Sequence, residues 1–96
     1  MARRTVNKPT AGAVTFVLNH KRGPEYNATF LNLTGASITI QVTNENIQTA
    51  TSPTFANPAA GVLTVADDTM GALTEPYEAA EITGAGTGDI HVVEAG

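Results

Sequence analysis

Seven consecutive residues, Ser37-Ile38-Thr39-Ile40-Gln41-Val42-Thr43, alternate polar and apolar without a break. Side chains on a β-strand alternate between faces, so Ile38, Ile40 and Val42 share one side and the polar set takes the other. This is a half-buried strand with a core beneath it and water above it. Similar short runs recur along the chain, each ended by turn residues. Val14 to Leu18 reads as a strand closed by Asn19 and the Lys21-Arg22-Gly23-Pro24 turn. Asn27 to Leu33 is a second run, and the brief Thr34-Gly35-Ala36 link predicts that it forms an antiparallel hairpin with the Ser37 strand. Val62-Leu63-Thr64-Val65 is a short strand, followed by a turn at Asp67-Asp68-Thr69.

Glu78 to Thr83 has helix-favouring Ala and Glu, but Pro76 and Gly84 leave room for only about two turns of helix, so a strand is the better reading. Gly84-Ala85-Gly86-Thr87-Gly88 then turns the chain into a last strand, Asp89 to Glu94, as a second expected hairpin. Short strands at roughly 8–12-residue spacing predict an all-β fold, a small antiparallel β-sandwich or jelly-roll-like barrel. Residues 44–61, with Pro53 and Pro58, read as one long loop, and a connection of that length tends to be functional, mobile or ordered by a partner.

The chain has 96 residues, enough for one domain and too few for a second core. Its aromatics are three Phe and two Tyr, with no Trp, so the core must be built from Val, Ile, Leu and Ala. A thin core of this size gains much from a partner surface, which makes self-association an expectation from the outset. Cysteine is absent, which removes disulfides, thiolate nucleophiles and sulfur-ligated zinc. No run approaches the ~20 apolar residues of a membrane-spanning helix, and the first residues do not read as a signal peptide. No membrane partner is expected.

Charge is sharply divided. The formal net charge is −4, yet all five bases (Arg3, Arg4, Lys8, Lys21, Arg22) precede Gly23 and all nine acids follow it. Residues 1–10 read as a basic, extended N-terminal arm and residues 11–96 as a single β-sandwich domain. Such an arm could dock on the acidic body of a neighbouring copy or on a larger assembly, over the short range that ~8 Å screening allows, or be a solvated, disordered tail. Three arm charges above an acidic domain make a poor phosphate-neutralising surface, so nucleic acid is not an expected partner. Arg3, Arg4 and Lys8, with Phe55 as the loop's only aromatic, are the candidate interface residues. Phe55 has two uses open to it: an anchor in a neighbour's pocket, or a cap folded back on its own core.

No chemistry emerges from the remaining motifs. The Gly84 to Gly88 cluster lacks the spacing and the following helix of a phosphate-binding loop. Asp67 and Asp68 supply too few ligands for calcium. His91 and Glu94, three apart on a strand, point to opposite faces and cannot share a metal. Ser37 and Ser52 lie far in sequence from His20 and His91, so no nucleophile and base are paired. No enzyme, cofactor or metal site is expected.

The segment Glu75-Pro76-Tyr77-Glu78-Ala79-Ala80-Glu81-Ile82-Thr83-Gly84, the glycine-rich turn and Ile90-His91-Val92-Val93-Glu94-Ala95 resemble the ending of small bacteriophage virion proteins, in particular capsid decoration or cement proteins. The likeness covers about the last quarter of the chain and its Thr- and Asn-rich, cysteine-free composition. It implies a β-sandwich-like protein, often trimeric, made in the host cytoplasm and carried on the capsid surface, where it binds capsid or other virion subunits and strengthens the head. A head or tail accessory protein is equally compatible. The alternative from another class is a carbohydrate-binding or adhesin module, for which Tyr26 and Tyr77 would be the aromatic platforms.

Overall fold

The computed structural model describes residues 2–8, 12–18 and 26–95; the expected turn at residues 21–24 and His20 lie outside them. Eight strands are present: β1 (Ala2–Lys8), β2 (Gly12–Val17), β3 (Asn27–Leu33), β4 (Ile38–Thr43), β5 (Leu63–Val65), β6 (Met70–Leu73), β7 (Ala79–Gly84) and β8 (Gly88–Ala95). They form two antiparallel four-stranded sheets, β1-β8-β3-β6 and β2-β7-β4-β5. The pairs β1–β8, β2–β7, β3–β6 and β4–β5 are nested one inside the next, as in one long hairpin. Rolling that hairpin up adds the seams β3–β8 and β4–β7 and gives a jelly roll, two sheets of a sandwich.

The alternation expected of β4 is present: Ile38, Ile40 and Val42 are buried while Thr39 and Gln41 are half-buried on the far side. They meet Ala28 and Phe30 of β3, Ala80 and Ile82 of β7, and Ile90 and Val92 of β8 in one core. Each such aliphatic or aromatic side chain contributes about 1.5–3 kcal/mol when fully buried, so the core is thin but continuous. Phe16 of β2 leans on it, its ring centroid 6.4 Å from that of Phe30.

Residues 2–8 depart most from expectation. In place of either expectation, a docking arm or a solvated tail, β1 pairs with β8 along its whole length, from Ala2 opposite Glu94 to Lys8 opposite Gly88. The physical cause is alternation: Arg4, Val6 and Lys8 share the inward face, and the interior supplies partners for both charges.

Neither expected hairpin forms. β3 and β4 lie in different sheets, as do β7 and β8, so residues 34–37 and 85–87 are arches that cross the sandwich. Asn32, fully buried on β3, fixes the first arch with every bond its carboxamide can make. Its Nδ2 donates to the carbonyls of Ala36 (2.7 Å) and Val65 (2.9 Å), and its Oδ1 accepts from Thr34 N (3.0 Å) and Thr34 Oγ1 (2.7 Å). The two arches pack so closely that a Cβ on Gly86 would collide with the Thr34 carbonyl oxygen. Only glycine fits there.

The link between β5 and β6 crosses at the same end, tied by Asp67 Oδ1 accepting from Gly35 N (2.9 Å). At the opposite end, residues 44–62 form the expected long loop, but the chain itself holds it. Val42 and Ala56 exchange two backbone bonds (2.8 and 2.9 Å), Glu45 accepts from Thr54 N, and Tyr77 Oη accepts from Ala59 N (2.9 Å).

Candidate functional site

The four residues expected at an interface go to different places. Lys8 is 0% exposed, and its Nζ donates to the carbonyls of Gly84 and Gly86 (2.7 Å to the latter), capping the β7–β8 arch. Arg4 turns inward, forms an ion pair with Glu94 and lies 5.2 Å from the Phe16 ring centroid. These two bases therefore fasten β1 into its own sandwich. Arg3 is exposed on the outer face of β1. Phe55 is half-buried on the loop, and Tyr77, not Phe55, is the aromatic packed against the core from that region.

Glu94 is the centre of the buried polar cluster and escaped sequence reasoning. Its side chain is 1% exposed; one oxygen meets Arg4 and the other accepts from Tyr26 Oη at 2.8 Å. Burial, and then the hydrogen bond to the Glu94 carboxylate, push the Tyr26 phenol well above its ordinary range. Tyr77 is also raised, by burial first, with its hydroxyl donating to Glu75 at 3.0 Å. Tyr26 is 1% exposed, so it cannot present its ring to a sugar, and the aromatic platform expected of a glycan-binding module is missing its first member.

The exposed chemistry lies on the two outer sheet faces, which differ. Across the β1-β8-β3-β6 sheet, register places Thr5, His91, Leu31 and Met70 in one row, with Thr5 Oγ1 3.3 Å from His91 Nδ1. Leu33 (41% exposed), Met70 (69% exposed) and the half-buried Leu31 and Val93 make this face partly apolar. Arg3 stands at one end of its β1 border, and Asn7, donating to Asp89 at 3.0 Å, at the other. A depression of about 310 Å³ lies along β1 and β8 beside Arg3, Thr5, His91 and Val93.

The opposite face, on β2-β7-β4-β5, is mostly polar, with Ala13 and the exposed Val17 at its β2 edge. Thr83, Thr39 and Thr64 form one row and Thr15, Glu81 and Gln41 the next. The apolar character of the first face was present in the sequence, because Leu31 and Leu33 fall on the side of β3 opposite Ala28 and Phe30. After Asn27 and Thr29, the outer side of that strand carries two leucines where a solvated strand would stay polar.

A smaller cavity of about 110 Å³ lies between the loop and the β5–β6 side, lined by Pro58, Val62, Leu63 and Leu73 among others. This is below the ~300–1,000 Å³ of most small-molecule sites. His91 is exposed while Glu94 is buried, so the two do point to opposite faces. Among the described residues no group of three or more His, Asp or Glu is placed to hold a metal ion, and no helix is long and apolar enough to cross a membrane. No family profile, curated protein or solved structure matches the chain.

Proposed function

We propose that this chain is a structural protein of a bacteriophage virion, a capsid decoration or cement protein that seats the outer face of the β1-β8-β3-β6 sheet on the head surface. The observation that carries this reading is the contrast between the two outer faces. Leu33 and Met70 are exposed and Leu31 and Val93 half-buried on one, while the other carries threonines, Gln41 and Glu81, with Val17 exposed at its β2 edge. A contiguous apolar patch on a small protein marks a surface that another surface covers. The fold is compatible, since eight-stranded jelly rolls recur in viral capsid domains as well as in lectins, which is an argument from architecture alone. Arg3 and Asp89 at the two ends of the β1–β8 border would set orientation more than affinity.

The test is to bind the purified chain to head particles from its own source and to quantify it on sedimented particles. Leu33→Glu combined with Met70→Glu should remove binding while leaving the far-ultraviolet spectrum and thermal midpoint close to those of the parent, because both side chains are exposed. Undiminished occupancy by the double variant, or no binding by the parent chain, contradicts the proposal.

A further inference from the structure

The second sheet ends at β2, and among the described residues β2 has a strand on one side only. Leu18 N donates to Glu78 O at 3.0 Å, in line with the β2–β7 register. Hydrogen-bonding direction alternates along an antiparallel strand, so the backbone groups of Ala13, Thr15 and Val17 point away from β7 to the open edge. The inward side of β2 is also incompletely covered. Val14 and Phe16 face the core but are only half-buried, while Ala80 and Ile82, their partners on β7, are 0% exposed. A missing ladder and a half-covered inner row are what a further strand would supply.

We infer that β2 pairs antiparallel with β2 of a second copy of this chain, about a two-fold axis at Thr15, joining the two sheets into one of eight strands. The sequence of β2 carries the choice of partner. A two-fold axis normal to the sheet keeps inner faces together, so opposed residues must share a face. Centred on Thr15, the pairing sets Val14 opposite Phe16 of the second copy on the inner side. On the outer side it sets Thr15 opposite Thr15 and Ala13 opposite Val17. β-branched–aromatic and Thr–Thr pairs are among the favourable cross-strand combinations. β2 has no charged residue, so no like charges are opposed within the new ladder. The pairing is independent of the virion reading, and it predicts a two-fold pair where the resemblance implied a trimer.

The experiment is sedimentation equilibrium of the full chain from micromolar to near-millimolar concentration, with three variants. The parent is expected at twice its 9.9 kDa mass at the upper end. Thr15→Pro deletes the N–H at the centre of the new ladder but none of those facing β7, and an edge strand tolerates proline on its solvent side. It is expected to fold and lose the dimer. The chain has no cysteine, so Thr15→Cys offers a single thiol, and two such thiols should form a disulfide-linked dimer when dissolved oxygen takes up their two electrons and two protons, opposed residues lying ~5.5 Å apart between Cα atoms, within disulfide range. Thr64→Cys, exposed at the far edge of the same sheet, should not. A parent that stays monomeric, a folded Thr15→Pro variant that dimerises like the parent, or a Thr64→Cys variant that cross-links as readily as Thr15→Cys overturns the inference. Should Thr15→Pro fail to fold, the two cysteine variants decide the matter alone.

Discussion

β1 and β2 border the same side of the sandwich, and they treat the exposed backbone of an edge in opposite ways. β1 points Arg4 and Lys8 inward and adds Arg3 outside, an arrangement that discourages another strand from joining it. Each inward charge has a fixed partner: Glu94 for Arg4, the arch carbonyls for Lys8. β2 carries no charge, no proline and a half-covered apolar row. On the other side of the sandwich β5 and β6 are short, at three and four residues, which is itself a guard. Among the described residues, β2 alone of the four edges is long and unguarded. Basic residues near the start of a small β protein therefore need not form a docking arm; they can be what closes an edge.

The largest effect should come from removing the guarded edge. Deleting residues 1–8 exposes the β8 ladder, leaves Glu94 without Arg4 and strips the cap from the β7–β8 arch. The Arg4 side chain is 36% exposed, so losing its pair with Glu94 costs less than the about 3–5 kcal/mol of a fully buried ion pair, but the lost β8 ladder and arch cap add to it in a domain of small total stability. The shortened chain is expected to be unfolded or to melt far below the parent by circular dichroism. An unchanged midpoint would mean that β1 is an appendage after all.

A smaller effect isolates the polar centre behind β1. Tyr26→Phe removes the bond to Glu94 and should cost about 1.5–3 kcal/mol at neutral pH, the range for hydrogen bonds to a charged group. The raised Tyr26 pKa also fixes a pH dependence. The folded state holds the phenolic proton more tightly than the unfolded chain, so this contribution is complete below about pH 10 and is lost as pH climbs above it. Chemical denaturation from pH 8 upward should show the parent losing stability more steeply above about pH 10 than Tyr26→Phe, whose phenylalanine has no proton to lose. Parallel curves would mean that the phenol is not held in this way.

Part of this architecture is legible in the residues. The alternation of Ser37 to Thr43, the strand at Ala79 to Gly84, the Asp67-Asp68 turn and the long loop after Thr43 all have local causes, and local patterns carry them. β1 was missed because its inward positions are Arg4, Val6 and Lys8, so no apolar period marks it, and β6 because Met70-Gly71-Ala72-Leu73 has none of the β-branched residues that mark a strand. In sequence the two arches look like hairpin turns, because Thr34-Gly35-Ala36 and Ala85-Gly86-Thr87 are as short as such turns. What sends the chain across the sandwich is Asn32 binding the carbonyl of Val65, 33 residues on, and Lys8 binding carbonyls nearly eighty residues away. Such long-range bonds leave no local trace. The apolar outer face was within reach, since Leu31 and Leu33 contradict a solvated second side for β3.

The contrast between a closed β1 and an open β2 is tested most directly by hydrogen exchange at the adjacent amides of Thr15 and Phe16, read residue by residue at low and high protein concentration. Phe16 N–H faces β7 and should be protected at both. Thr15 N–H faces the open edge and should exchange freely when dilute, then become protected as the chain is concentrated. A Thr15 amide that exchanges freely at every concentration, or is already protected in the dilute monomer, contradicts the account.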